Sequence, residues 1–116
     1  MATMRAAVYV GDGRIEVQEM PVPAPAPGEV LVEVAYCGIC GTDLHLVLEQ
    51  YARPGSVLGH EWSGTVVDTG QPVVATPEPG CGRCRACRRG RPSVCRRKTP
   101  PDHLSFRGAF GEYVTV

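Results

Sequence analysis

Four cysteines within fifteen residues, Cys81-x2-Cys84-x2-Cys87-x7-Cys95, constrain this chain more than any other feature. Between them the only aliphatic side chains are Ala86 and Val94, so the segment has too little apolar surface to offset its ordering entropy by burial. Thiolates converge at roughly 2.3 Å on a tetrahedral zinc ion, and C-x2-C turns deliver paired sulfurs because the intervening backbone folds around the metal. Gly80, Gly82 and Gly90 supply turns. Two disulfides are the competing outcome, but adjacent C-x2-C pairs make awkward disulfide partners. A closed structural zinc site is therefore expected at Cys81, Cys84, Cys87 and Cys95, with a cysteine-ligated iron–sulfur cluster as the rival metal group.

The length of 116 residues fits one ordinary domain. Twelve basic residues balance twelve acidic ones, which removes any general electrostatic case for nucleic acid or an anionic membrane. The balance is uneven along the chain: eight of the twelve basic residues fall between Arg83 and Lys98, without one acid among them. That segment must be a positive lobe, yet it has no interleaved aromatic residue, and nucleic acid weighs little as its partner. No run of eighteen apolar residues exists, and residues 1–10 lack the features of a signal peptide. A cytoplasmic protein without a membrane partner is expected, and a reducing compartment favours metal ligation over disulfides.

Fourteen Gly and eleven Pro punctuate short β-branched runs and leave little room for helix interiors, so the fold class is mainly β. Residues 4–10 and 15–20 read as a hairpin turning at Gly11-Asp12-Gly13. Pro21, Pro23, Pro25 and Pro27 stiffen an ordered connector. Residues 29–36 alternate polar and apolar side chains as a strand with a buried face should. Thr42 and Asp43 are placed to cap one short helix carrying Leu44, His45, Val47 and Leu48. Further strands are expected over 57–68, 73–76 and 109–116, with a cysteine-rich loop over 77–101.

A second constellation combines donors from separate segments: Cys40 with Thr42 and His45 just after it, and His60-Glu61 about twenty residues later. A thiolate, an imidazole and a carboxylate make an incomplete coordination sphere, the kind that keeps a position open for water or substrate. Taken alone, His60 at a strand start would be an ordinary partly buried histidine. Cys37-Gly-Ile-Cys40 also has thioredoxin-type C-x-x-C spacing, which leaves a thiol redox protein as a further alternative.

Gly38-Ile39-Cys40-Gly41-Thr42-Asp43-Leu44-His45, then Gly59-His60-Glu61, then Cys81 through Cys95, in this order, resemble the amino-terminal part of zinc-dependent medium-chain alcohol dehydrogenases, including the sorbitol and threonine dehydrogenase branches. Residues 4–19 resemble that family's opening hairpin, and residues 108–114 its strand after the structural zinc. The resemblance implies a GroES-like, partly open β-barrel over residues 1–116. It implies a catalytic zinc on Cys40 and His60, with Glu61 as ligand or near neighbour, and a structural zinc on Cys81, Cys84, Cys87 and Cys95. Thr42 would relay the alcohol proton and His45 would pass it towards solvent. The implied reaction is oxidation of a small alcohol or polyol, with NAD(P) as hydride acceptor. No G-x-G-x-x-G stands in the sequence, so a separate nicotinamide-binding domain is the expected partner, and residues 1–116 are expected to be inactive alone. The connection over 68–73 is shorter than the family's. A free-standing zinc module that uses its basic loop for a ligand or partner is the remaining alternative, and a homo-oligomer is compatible with either.

Overall fold

The computed structural model describes residues 2–75, 81–95 and 107–116. Strands β1 (Thr3–Gly11) and β2 (Arg14–Pro21) form an antiparallel hairpin. Asp12 and Gly13 make its two-residue turn with φ of 55° and 70°, the left-handed pair whose twist matches the flanking strands. The second sheet has four antiparallel strands in the order β5-β4-β3-β6, with β3 at Leu31–Gly38, β4 at Glu61–Val66, β5 at Pro72–Val74 and β6 at Tyr113–Thr115. Helix α1 (Gly41–Leu48) lies between β3 and β4 in the chain.

The two sheets are stitched together by residues that belong to neither. Ala7 donates to the Phe110 carbonyl at 2.7 Å, Glu112 to Arg5 at 3.2 Å, and Val34 to Glu112 at 2.9 Å. Isolated bridges join Ala6 to Gly111 and Val8 to Val57. The result is a mainly β arrangement of two sheets that does not close into a barrel, as the partly open form expected from the sequence requires. Alternation on β1 directs Met4, Ala6 and Val8 into one cluster with Val57, while Tyr9 turns to the other side against Val47, Ala52 and Leu58. Val32, Val66, Ala109 and Val114 fill a third cluster behind the larger sheet. No helix among the described residues is long and apolar enough to cross a membrane.

Three expectations from the sequence need correction. The strand expected over 57–68 is regular only from Glu61 to Val66, because Gly59 has φ of 105° and a left-handed residue cannot continue a ladder. The strand expected over 109–116 is regular only from Tyr113 to Thr115, since residues 109–112 spend their backbone groups on the stitches between sheets. The cysteine segment is not a plain loop: it contains a short helix α2 (Arg85–Arg88) and a 3₁₀ turn at Pro92–Val94. Thiols there accept backbone N–H groups and take the place of the missing apolar core. The short connection over 68–73 forms a tight hairpin, with Gly70 donating to Val66 at 2.8 Å and Val66 to Gln71 at 2.9 Å. Thr76, residues 77–80 and residues 96–101, which include Arg96, Arg97 and Lys98, lie outside the described residues.

Candidate metal centres

Antiparallel pairing of β3 with β4 sets Gly38 opposite Glu61 and Cys37 opposite Trp62. The end of one strand is thereby the neighbour of the start of the other. Cys40, two residues beyond β3, is the N-cap of α1, and His60 precedes β4 immediately. The Sγ of Cys40, a ring nitrogen of His60 and a carboxylate oxygen of Glu61 all lie within 4.8 Å of one another. His60 and Glu61 are exposed, so one side of the group is open. His60 stands between two clefts, one of about 580 Å³ with Tyr36, Glu61 and Trp62 in its wall, the other of about 410 Å³ with Thr42, Leu46 and Arg107.

Asp43 contacts two members of this group, and only one of the two contacts is apparent from sequence. The side chain is buried at 4 % exposure. Its Oδ2 accepts from the Cys40 amide at 3.0 Å, and its Oδ1 lies 3.5 Å from His60 Nδ1. A carboxylate three residues past an N-cap is a capping-box signature, so the first contact had a sequence signal. The second depends on β3–β4 pairing and had none. Thr42 and Asp43 stand at the second and third helical positions, not at the cap expected for them, and Cys40 takes the cap position.

Thr42 places Oγ1 3.7 Å from Cys40 Sγ. His45 lies one helical turn on, exposed, with Nδ1 3.4 Å from Glu49 Oε2, and it is not a member of the donor group. Cys37 is not a member either. Its Sγ is 2.7 Å from where a Cβ on Gly59 would stand, and burial pushes its thiol pKa up, against a lowering contribution from the Glu61 amide. A redox thiol needs the opposite shift.

The four cysteines of the lobe form a closed group. All four sulfurs lie within 4.8 Å of one another, and Cys84 Sγ is 3.7 Å from Cys95 Sγ. Thiolates on one tetrahedral ion at roughly 2.3 Å would stand about 3.8 Å apart, so the donor set fits a single zinc ion. None of the six cysteines is in a disulfide. The backbone supplies donors: Cys84 to Cys81 Sγ at 3.2 Å, Arg83 to the same sulfur at 3.3 Å, and Cys81 to Cys95 Sγ at 3.4 Å. The Arg83 and Cys84 amides lower the Cys81 pKa, and the Cys87 amide, at 3.5 Å, holds Cys84 down to about 6. Cys87 also receives a lowering contribution, from the Gly82 amide, but burial and its neighbours Cys84 and Cys95 push it up to about 11.

The family model for the alcohol dehydrogenase GroES-like domain matches residues 26–116. The chain is 39% identical to L-threonine 3-dehydrogenase of Xanthomonas euvesicatoria, over 88% of this chain and 34% of that protein. Among solved structures it is similar to a cobalt- and zinc-bound thermostable alcohol dehydrogenase from Pyrobaculum aerophilum, with a TM-score of 0.84, 30% identity and coverage of 99% of this chain and 39% of that one. It is also similar to acetophenone reductase from Geotrichum candidum in complex with NAD, with a TM-score of 0.79, 32% identity and coverage of 97% and 37%. The chain thus spans about a third of the length of these relatives. With the fold, the family model and these relatives in agreement, the chain belongs to the alcohol dehydrogenase GroES-like domain family.

Proposed function

We propose that residues 1–116 are the zinc-binding, substrate-side segment of an NAD(P)-dependent alcohol or polyol dehydrogenase. The observation that carries this is the pairing of one closed donor set, Cys81, Cys84, Cys87 and Cys95, with one open set, Cys40, His60 and Glu61. A closed tetrathiolate suits a structural zinc ion, and a three-donor set with an exposed side suits a catalytic one. Sulfurs as close as those of the lobe favour one ion over an iron–sulfur cluster, whose thiolates spread over several irons.

When bound at the open centre, zinc supplies Lewis-acid polarisation of an alcohol oxygen. The chain's own residues do the rest. Asp43 lies on the Nδ1 side of His60, so Nε2 would be the nitrogen offered to the metal, the carboxylate–histidine arrangement that fixes ring orientation at metal sites. Thr42, beside Cys40, takes the hydroxyl proton in a hydrogen bond, and His45, one turn along α1 and exposed, passes it towards solvent. Glu61 is either the third protein ligand or the carboxylate next to it.

The hydride acceptor requires a nucleotide-binding domain. Residues 1–116 carry no glycine fingerprint for a dinucleotide, and without a fixed acceptor they forgo roughly 7–11 kcal/mol of positioning. This segment alone is therefore proposed to bind zinc without turning over.

Cobalt substitution tests the proposal directly. The visible band of cobalt at the open centre should shift on titration with primary, secondary or polyol alcohols, L-threonine included, and the shift should vanish in Cys40→Ser and His60→Ala. A spectrum indifferent to every alcohol would contradict a substrate-side role.

A further inference from the structure

The cysteine lobe carries more positive charge than a metal in it requires. Arg83, Arg85, Arg88, Arg89 and Arg91 lie between Cys81 and Cys95, a stretch without an acid. Four thiolates around a divalent zinc leave about two net negative charges, which five guanidinium groups outweigh. All five arginines are exposed, and no ion pair among the described residues engages them. Arg85 opens α2 and Arg89 is its C-cap, a four-residue separation at which like charges on a helix repel. Arg91 is folded back towards them because its amide donates to the Ala86 carbonyl at 2.9 Å. Arg85, Arg89 and Arg91 line one open cleft of about 710 Å³, with Ala86 and Val94 as its apolar walls.

We infer that this cleft binds a phosphate-bearing small molecule, gripped by Arg85, Arg89 and Arg91. Planar guanidinium forks match tetrahedral oxyanions bidentately, and a multiply charged anion relieves the mutual repulsion of the three arginines. The cleft is larger than one phosphate, so Ala86 and Val94 receive the organic part of the ligand. No aromatic side chain lines it for base stacking, which disfavours a single-stranded nucleic acid. Cys84 of the closed set also lines it, but it shares no residue with the open centre at Cys40, His60 and Glu61, so the inference does not depend on alcohol chemistry at that centre.

Calorimetric titration of the zinc-replete chain with inorganic phosphate and with glucose 6-phosphate tests this. Both should bind saturably, the sugar phosphate more tightly, and both should weaken as salt rises. Arg85→Gln with Arg89→Gln should weaken binding at least tenfold while zinc content stays unchanged. The pair Arg85→Lys with Arg89→Lys, which keeps charge but not the fork, should recover only part of it, and Arg14→Gln on β2 should change nothing. Cys40→Ser, which removes a donor of the open centre, should leave phosphate binding intact. Binding that survives the double glutamine variant, or that disappears with Cys40→Ser, would overturn the inference. So would a single-stranded oligonucleotide that binds at lower concentration than glucose 6-phosphate. Salt-sensitive self-association without phosphate binding would also overturn it, by assigning the lobe to the acidic remainder of a second copy, where twelve acids face four basic residues.

Discussion

Asp43 and His60 come together as a buried carboxylate against an exposed imidazole, with Oδ1 and Nδ1 3.5 Å apart. The other oxygen of Asp43 holds the amide of Cys40 at 3.0 Å. One side chain thus couples the start of α1 to both the sulfur and the nitrogen donor of the open centre. Asp43→Asn should lower metal affinity at that centre by about 10–100-fold, the usual cost of losing a partner behind a metal-binding histidine. Asp43→Ala should also cost the fold about 1 kcal/mol through the lost cap. Competition with a zinc-responsive dye reads the affinity and urea unfolding reads the stability. Unchanged zinc binding in both variants would separate Asp43 from the site.

Cys37 and Glu61 make opposite predictions. Cys37 packs against Gly59 and lies outside the donor group, whereas Glu61 lies within it. Cys37→Ala should retain the visible spectrum of cobalt at the open centre, and Glu61→Gln should alter it. The reverse outcome would exchange their places in the ligand set.

Gly59→Ala should be damaging although the side chain added is only a methyl group. The residue has φ of 105°, and a Cβ there would stand 2.7 Å from Cys37 Sγ and 3.0 Å from the Phe110 amide nitrogen. Strain of this kind costs about 1–3 kcal/mol, and it would displace the adjacent His60. Lower thermal stability together with weaker metal binding at the open centre is expected. A variant with wild-type values for both would show that the backbone at Gly59 tolerates a side chain.

Local chemistry was legible in the sequence, and geometry between segments was not. The Asp12-Gly13 hairpin, the alternation that buries Val32 on β3, and helix α1 all follow from neighbouring residues. The C-x2-C spacing likewise announced the lobe cysteines, because the turns that gather them are local. The interruption at Gly59 was hidden, since Val57 and Leu58 before it and Trp62 after it read as one continuous strand. So were the contact between Asp43 and His60 and the stitching role of residues 109–112, both of which depend on strands brought together from far apart in the chain.

Zinc stoichiometry tests the two-centre account most directly. Metal content measured by atomic emission after gel filtration should be two zinc ions per chain, falling to one after mild chelation. Cys40→Ser should keep only the chelation-resistant ion. Cys81→Ser should lose that ion and the order of the lobe with it, because metal binding supplies much of the folding energy of such segments. A single zinc per wild-type chain, or a Cys81→Ser protein that stays folded with its zinc content unchanged, would contradict the account.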